Sequence, residues 1–312
     1  MIKKISTVIA AYNAENTIAE TIDNALAQRY EDHEVVVVDD GSIDSTGAIL
    51  REYGDRIRVV EQANRGAAAA RNAGVANSRG KYVAFLDSDD LWLPDKLAII
   101  VAALERNPAA SLAFSEYINF DENGVECGES SLGHAPSMQE LMEVCLPPIL
   151  TSTWVMPRTA FERSGGFSEA FKGGQGFEDS WLLLLLRELG EFEYVPERLT
   201  RYRIVGNSES ADKYAHALST FITLVKERYG TRGRALIRNA KNLQCRWMLS
   251  KIAHQTDRGD RLGAIRTVAR IMRFHPAYFV GSEFTGRLVL PQNMKRFWDI
   301  AAKFPHPQAR QP

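Results

Sequence analysis

Residues 34–42 read EVVVVDDGS, a run of four valines that ends in two aspartates. An almost continuous apolar run is typical of a central strand in a parallel sheet, where helices cover both faces. Similar runs occur at 5–11, ISTVIAA, and at 82–86, YVAFL, and helical stretches lie between them. This alternation predicts an α/β fold with a mostly parallel, Rossmann-like sheet flanked by helices.

The same reasoning predicts the other elements. Further strands are expected at 57–61, 112–120 and 192–204, and helices at 13–28, 42–53, 66–77, 94–105, 137–145, 159–164 and 177–189. We expect loops at 121–136 and a mobile glycine-rich turn at 173–176. Nearly everything from Ala211 to residue 304 has a helical pattern, which predicts a helical C-terminal extension.

The composition places the 312-residue chain among ordinary globular proteins, with 45% hydrophobic and 25% charged residues. Its three cysteines form no CxxC pair, which excludes a disulfide framework or zinc knuckle and suits a reducing cytosol. The first apolar stretch spans only about seven residues, and no run reaches the roughly 18 apolar residues of a membrane span. The sequence therefore predicts a soluble, cytoplasmic protein.

Charge is distributed unevenly between the two ends of the chain. Residues 1–212 hold 19 Lys and Arg against 34 Asp and Glu, whereas residues 213–312 hold 19 against 5. Such a split favours a domain boundary near residue 210. We expect a catalytic domain at 1–210, helices at 211–304 and a disordered tail at 305–312.

Acidic residues follow two of the predicted central strands. Asp39 and Asp40 end one strand, and Asp87, Asp89 and Asp90 end another. Because the carboxyl ends of parallel strands share one edge of the sheet, these five side chains are expected to lie together. Hard oxygen ligands with no nearby His or Cys favour Mg²⁺ or Mn²⁺, held together with substrate phosphates. The alternative is that the aspartates only cap the helices that follow.

Several other phosphate-binding and hydrolytic motifs are missing. No G-x-G-x-x-G follows the first strand, and the Gly74–Lys81 stretch has the wrong glycine spacing for a P-loop. Neither G-x-S-x-G nor H-E-x-x-H occurs.

Five motifs together resemble the family 2 glycosyltransferases of the GT-A fold. They are AYN at 11–13, VDDGS at 38–42, N-R-G-x-x-x-A-R-N-x-G at 64–74, FLDSDD at 85–90 and GGF…FED at 165–179. The resemblance covers about residues 3–206 and implies that residues 1–120 bind the nucleotide sugar and 121–210 the acceptor. It implies a UDP-sugar as the commonest donor, with dTDP and GDP sugars used by relatives, and a saccharide or lipid-linked saccharide as acceptor. No nucleic-acid partner is expected.

The resemblance also implies roles for single residues. The donor-binding residues would be Ala11, Tyr12, Asn13, Asp39, Asp40, Arg71, Asp87 and Ser88. Tyr12 would stack on the base, or it is simply wedged at the sheet edge, and Arg65 either assists Arg71 or is a surface charge. Asp89 and Asp87 would bind Mn²⁺ or Mg²⁺, and Asp90 either adds to this pair or caps the next helix.

The acceptor half of the resemblance centres on the FED motif. Asp179, with Glu178 beside it, would be the general base that takes a proton from the acceptor hydroxyl, so that a single displacement inverts the anomeric centre. The alternative is a carboxylate that only interacts with the helix dipole. Trp181 and Trp154 would flank the acceptor sugar or belong to the core.

Two departures from the family narrow the activity. The Q-x-x-R-W motif of processive members is missing, since Gln244-Cys245-Arg246-Trp247 has a different spacing, so a polymer synthase is not expected. Val205 stands where relatives often have a His, and Asn207 or Ser208 would substitute for it. The competing functions are a sugar nucleotidyltransferase, which needs a glycine-rich basic loop that AYNAEN does not provide, and a nucleotide-sugar-binding scaffold.

The basic C-terminal region suggests an interaction. In Gly259–His275, apolar residues fall on one helical face with arginines beside it. The region either contacts an anionic membrane surface peripherally, or packs on the acidic domain within the chain or in a homodimer.

Overall fold

The computed structural model describes residues 4–143, 149–171, 177–204, 213–257 and 266–267. Contacts divide the chain into two units, residues 1–204 and residues 205–312. The valine run lies at the centre of the first unit, where all four of its side chains are buried.

The first unit is built on one sheet. Its strands are β1 Ile5–Ala11, β2 His33–Asp39, β3 Arg58–Glu61, β4 Tyr82–Asp87, β5 Leu91–Trp92, β6 Ala110–Phe120, β7 Glu126–Glu129, β8 Trp154–Pro157 and β9 Glu191–Arg203. The strand order is β3-β2-β1-β4-β8-β6-β9-β5, and β7 pairs with β6. Strands β1 to β4 pair in parallel, whereas β8 is antiparallel to both β4 and β6. Since β9 is parallel to β6, six strands of the described chain share one direction, which confirms the mostly parallel α/β sheet.

Helices cover the sheet as the alternation predicted. In the first unit they are α1 Ile18–Leu26, α2 Thr46–Glu52, α3 Ala67–Ala76, α4 Lys96–Arg106, α5 Met138–Glu143, α6 Arg158–Ser164 and α7 Glu178–Leu189. Helix α3 lies very close to the sheet, because a Cβ added at Gly74 would stand 2.3 Å from Cγ1 of Val8. Arg71, one turn earlier on α3, is thereby buried near the strand ends.

The structure differs from the sequence-based expectations mainly at short elements. Strands β5, β7 and β8 were not expected, since two to four residues are too few to show a period of two. Helix α1 begins five residues later than predicted, because the loop before it bonds to other side chains. Asn13 has a positive φ of 50°, and the Ala14 N–H donates to the Thr46 hydroxyl at 2.8 Å.

The second unit contains a helical hairpin. Helix α8, Lys213–Tyr229, is followed by a 3₁₀ turn at Gly230–Gly233 and by α9, Arg234–Asp257. Apolar residues of both helices are buried, among them Phe221, Val225 and Leu236. Across the described part of the chain, no helix combines the length and the apolar character needed to cross a membrane.

Some predicted features lie outside the described residues. They are the glycine turn at 173–176, the segment 205–212 with Val205, nearly all of the 259–275 stripe and the tail at 305–312.

Candidate active site

The ends of β1, β2 and β4 form the floor of the site. Ala11 is paired with Asp39 across β1 and β2, and Ala10 is paired with Asp87 across β1 and β4. The two acidic motifs are therefore brought to one sheet edge, as the parallel arrangement predicts.

Arg71 connects this edge to the start of helix α7. Its Nη2 lies 2.8 Å from Oδ1 of Asp87, and its Nη1 lies 3.4 Å from Oδ1 of Asp179. The guanidinium also lies over the ring of Phe167, 5.1 Å from the ring centre. Burial lowers the pKa of Arg71, but the charges of Asp87 and Asp179 outweigh it, so the pKa is raised overall. The arginine thus holds together two carboxylates from opposite halves of the domain.

Asp179 is the second residue of α7, and its side chain retains 28% exposure. Burial raises its pKa, Arg71 lowers it and Asp87 raises it further, with a raised pKa as the result. A partly exposed carboxylate with a raised pKa has the properties of a general base. Glu178, beside it, is 4% exposed and lies within the protein.

Asp89 and Asp90 follow Asp87 but have different surroundings. Burial, with a contribution from Asp87, raises the pKa of Asp89 to about 6. Asp90 has no exposed surface, and burial followed by repulsion from Asp89 and Asp87 raises its pKa well above the usual range. Helix α4 begins only at Lys96, so Asp90 does not cap it.

Asp39 and Asp40 organise the loops around the edge. Asp39 Oδ1 accepts the N–H of Ser42 at 2.9 Å, which stabilises a turn before α2 rather than capping that helix. Asp40 accepts three hydrogen bonds from a loop: from Gln62 Nε2 at 2.7 Å, the Arg65 N–H at 2.9 Å and the Gly66 N–H at 2.8 Å. Asp40 therefore fixes the loop that leads into α3, and its carboxylate is already engaged.

The AYN motif lies beside the turn that Asp39 stabilises. The side chain of Tyr12 is 49% exposed at the end of β1, as a stacking surface needs to be. Asn13 connects the motif to this turn, since its N–H donates to the Ser42 hydroxyl at 3.0 Å and its Oδ1 accepts the Ile43 N–H at 2.9 Å. The carbonyl of Ser88 accepts the Thr17 hydroxyl at 2.8 Å.

The two tryptophans fit the core alternative rather than the acceptor role predicted for them. Trp154 has no exposed surface, is stacked on Phe167 at 6.2 Å and donates its indole N–H to the Ile149 carbonyl. Trp181 is only 7% exposed. A side chain without accessible surface cannot contact a sugar, so the acceptor assignment of Trp154 is wrong for this conformation.

Two residues of the site were missed by the sequence reasoning. Ser152, in a buried 3₁₀ turn at Thr151–Thr153, binds the Asp87–Asp90 loop, and so does Arg203 at the end of β9. The polar triplet TST before an apolar strand was the available signal. Within the described ranges, no three His, Cys, Asp or Glu side chains form a group able to hold a metal by themselves.

Comparison with known proteins supports the resemblance to the family 2 glycosyltransferases. A family model described as "Glycosyl transferase family 2" matches residues 6–141. A putative teichuronic acid biosynthesis glycosyltransferase of Bacillus subtilis, TuaG, is 33% identical over 222 residues, which cover 70% of this chain and 85% of that protein. An uncharacterized glycosyltransferase of Rickettsia felis is 30% identical over 229 residues, 71% of this chain but only 37% of that protein. The chain thus spans well under two thirds of some of the relatives it matches.

Solved structures agree in fold. The crystal structure of S. aureus TarS 1–349 in complex with UDP has a TM-score of 0.58 at 16% identity, covering 96% of this chain and 80% of that chain. The complex of the same TarS fragment with UDP-GlcNAc has a TM-score of 0.56 at 15% identity, covering 88% and 91%. At this identity the likeness concerns the fold, a GT-A-type α/β architecture.

Proposed function

Since the chain belongs to the family 2 glycosyltransferases, we propose that it transfers a sugar from a nucleoside-diphosphate donor to an acceptor hydroxyl with inversion. The observation that carries this proposal is the position of Arg71, which contacts both Asp87 of the donor motif and Asp179 of α7. The residues proposed for leaving-group binding and for deprotonation of the acceptor are therefore joined through one guanidinium.

Asp179 is the general base of the proposed reaction. Its carboxylate takes the proton of the acceptor hydroxyl while that oxygen attacks the anomeric carbon and the bond to the diphosphate breaks. A single displacement of this kind requires no covalent enzyme intermediate, and base catalysis typically contributes about 10²–10⁴-fold. Arg71 lies against both Asp179 and Asp87 and offsets the repulsion between the two carboxylates.

Asp87 and Asp89, called the donor pair below, also fit a divalent cation. Asp87 and Asp89 offer hard oxygen ligands. Burial, with a contribution from Asp87, raises the pKa of Asp89, and a cation would stabilise its charged form. Two carboxylates plus substrate phosphates are an ordinary ligand set for Mg²⁺ or Mn²⁺. Asp87 and Asp89 would hold the ion, which when bound would neutralise charge on the departing diphosphate.

We assign the donor nucleotide to the edge beside Tyr12. Its exposed ring is available for base stacking, and Asp39 and Asp40 hold the loops on either side. A UDP-sugar is the donor favoured here, because the crystallised TarS complexes with a similar fold contain UDP and UDP-GlcNAc. The relationship to TuaG supports a place in cell-surface polysaccharide or glycolipid assembly.

A peripheral membrane contact is proposed for the helical hairpin. Exposed cations lie at the end of α8, in the 3₁₀ turn and at the start of α9, namely Lys226, Arg228, Arg232, Arg234 and Arg238. Cations near an anionic surface contribute about 1 kcal/mol each. Salt-sensitive co-sedimentation with phosphatidylglycerol vesicles, reduced by Arg232→Glu with Arg234→Glu, would support this contact. No co-sedimentation even at low salt would favour the alternative, in which the basic region packs within the chain or in a homodimer.

A donor screen tests the proposed activity. UDP, GDP, dTDP and CMP sugars are added with Mn²⁺, and both the Tm and the release of free nucleotide are measured. A true donor stabilises the folded state by mass action, by about 2.7 kcal/mol at 100 times its Kd, and is turned over. Binding without nucleotide release from any donor and saccharide acceptor would point to a scaffold, and no binding at all would contradict the proposal.

A further inference from the structure

The Asp87–Asp90 loop, which carries Asp87 and Asp89, is attached to the protein through several of its backbone groups. The Asp87 N–H donates to the Ser152 hydroxyl at 3.0 Å, and the Asp90 N–H donates to the Asp87 carbonyl at 3.2 Å. The Ser88 and Asp90 carbonyls both accept the Thr21 hydroxyl, at 3.1 and 3.2 Å. Such density of bonds restricts the loop before any ligand arrives.

Asp90 is the internal anchor of this loop. It has no exposed surface, so it is not available to a donor or an acceptor. Its Oδ2 accepts the Ser152 hydroxyl at 2.5 Å, and its Oδ1 accepts the Arg203 N–H at 2.9 Å. One carboxylate therefore connects the loop to two strand ends that lie far away in sequence.

Ser152 and Arg203 complete the attachment. Ser152 is fully buried, and its carbonyl accepts the Trp92 indole N–H at 2.7 Å, which fixes the turn that presents the hydroxyl. Arg203 Nε donates to the Asp89 carbonyl at 2.8 Å, and its guanidinium is held over Phe120 at 4.4 Å and by Glu20 at 2.5 Å.

We infer that Asp90, Ser152 and Arg203 are positioning residues, which hold the Asp87–Asp90 loop so that the carboxylates of Asp87 and Asp89 face the donor diphosphate. The inference rests on the proposed function for the identity of that ligand. Asp90, the last residue of the loop, would act through hydrogen bonds inside the protein. Its role would thus differ from those of Asp87 and Asp89.

The test compares two buried serines. Ser152→Ala removes the hydroxyl that binds Asp87 and Asp90. Ser115→Ala removes one that binds Lys96 and the Glu116 carbonyl, neither of which belongs to the loop. Hydrogen exchange is followed in a peptide covering residues 86–92, and the Kd of UDP with Mn²⁺ is measured on each folded variant alongside its Tm.

We expect both variants to lose some thermal stability, but only Ser152→Ala to speed exchange of that peptide about 10-fold and to weaken UDP binding by a similar factor. Asp90→Asn keeps the shape and an oxygen that can accept the Arg203 N–H, and its NH2 group can donate to the Ser152 hydroxyl. It should recover most of the binding lost in Asp90→Ala. Equal exchange and equal UDP affinity in the two serine variants would overturn the inference. If wild-type protein binds no UDP, the proposed donor is wrong, but the exchange comparison still decides whether the loop is held as described.

Discussion

Arg71 of α3 and Asp179 of α7 approach each other to 3.4 Å although 108 positions separate them in sequence. The same guanidinium contacts Asp87 at 2.8 Å. Residues that the family resemblance assigns to the donor and to the acceptor are therefore parts of one charge network. Removal of the Arg71 guanidinium, the cation of this network, is expected to affect both sets of residues.

Arg71→Met should lower kcat/KM at least 10-fold and also lower the Tm, because two neighbouring carboxylates lose their common partner. A double-mutant cycle with Asp179→Asn checks the physical cause, since the second substitution removes one of the charges. We expect the two stability effects to be non-additive, with Arg71→Met costing less in the Asp179→Asn background. Additive effects would show that the pair is not coupled.

Metal dependence follows from the two carboxylates of the donor pair. EDTA should abolish nucleotide release, Mn²⁺ or Mg²⁺ should restore it, and no Mn²⁺ concentration should rescue Asp89→Ala. Full turnover by protein verified as metal-free would disprove the requirement. Glu169→Gln, which removes an exposed partner of Arg65, serves as a control for an unrelated carboxylate.

Tyr12 should contribute stacking energy to nucleotide binding. Tyr12→Ala is expected to raise the Kd of UDP about 10-fold, as a stacked base is worth roughly 1–3 kcal/mol. Tyr12→Phe preserves the ring and should bind like the wild type. Calorimetric titration measures both, and equal affinities of the alanine and phenylalanine variants would rule out stacking.

Burial of Lys96 should make the stability of the folded protein depend on pH. The ammonium is fully buried, and burial lowers its pKa from 10.5 to about 7. Between these values the unfolded chain holds a proton that the folded chain has released, so stability rises with pH from about 7 to 10.5, by at most about 1.4 kcal/mol per unit. Urea denaturation at pH 7 to 9 should show a steeper rise for the wild type than for Lys96→Met. Parallel slopes would mean that Lys96 stays protonated in the folded protein.

Much of the fold was predictable from sequence because its signals are local. The valine run of β2 and the apolar stretches of β1 and β4 show the parallel sheet directly, and the aspartates at the ends of β2 and β4 reach one edge of it, as predicted. Strand β8 was missed because its four residues gain their partners only from β4 and β6. Periodicity cannot report such long-range pairing.

The sequence named most of the candidate site residues but not the contacts between them. The motifs name Asp87, Asp89 and Asp179 as candidates, yet nothing in the sequence indicates that Arg71 joins Asp87 to Asp179. Trp154 illustrates the opposite error, since a tryptophan near an acceptor motif has the same sequence signal whether it faces a sugar or the core. Burial depends on the packing of Phe167 against it, which is a tertiary property.

The account depends most on Asp179 as the base, and one paired measurement tests this directly. Donor affinity and kcat are determined for the wild type and for Asp179→Asn with the donor found in the screen. We predict that the asparagine variant binds donor with nearly the wild-type Kd while kcat falls 100-fold or more. A variant that retains more than about a tenth of wild-type turnover would contradict the account and place the base elsewhere.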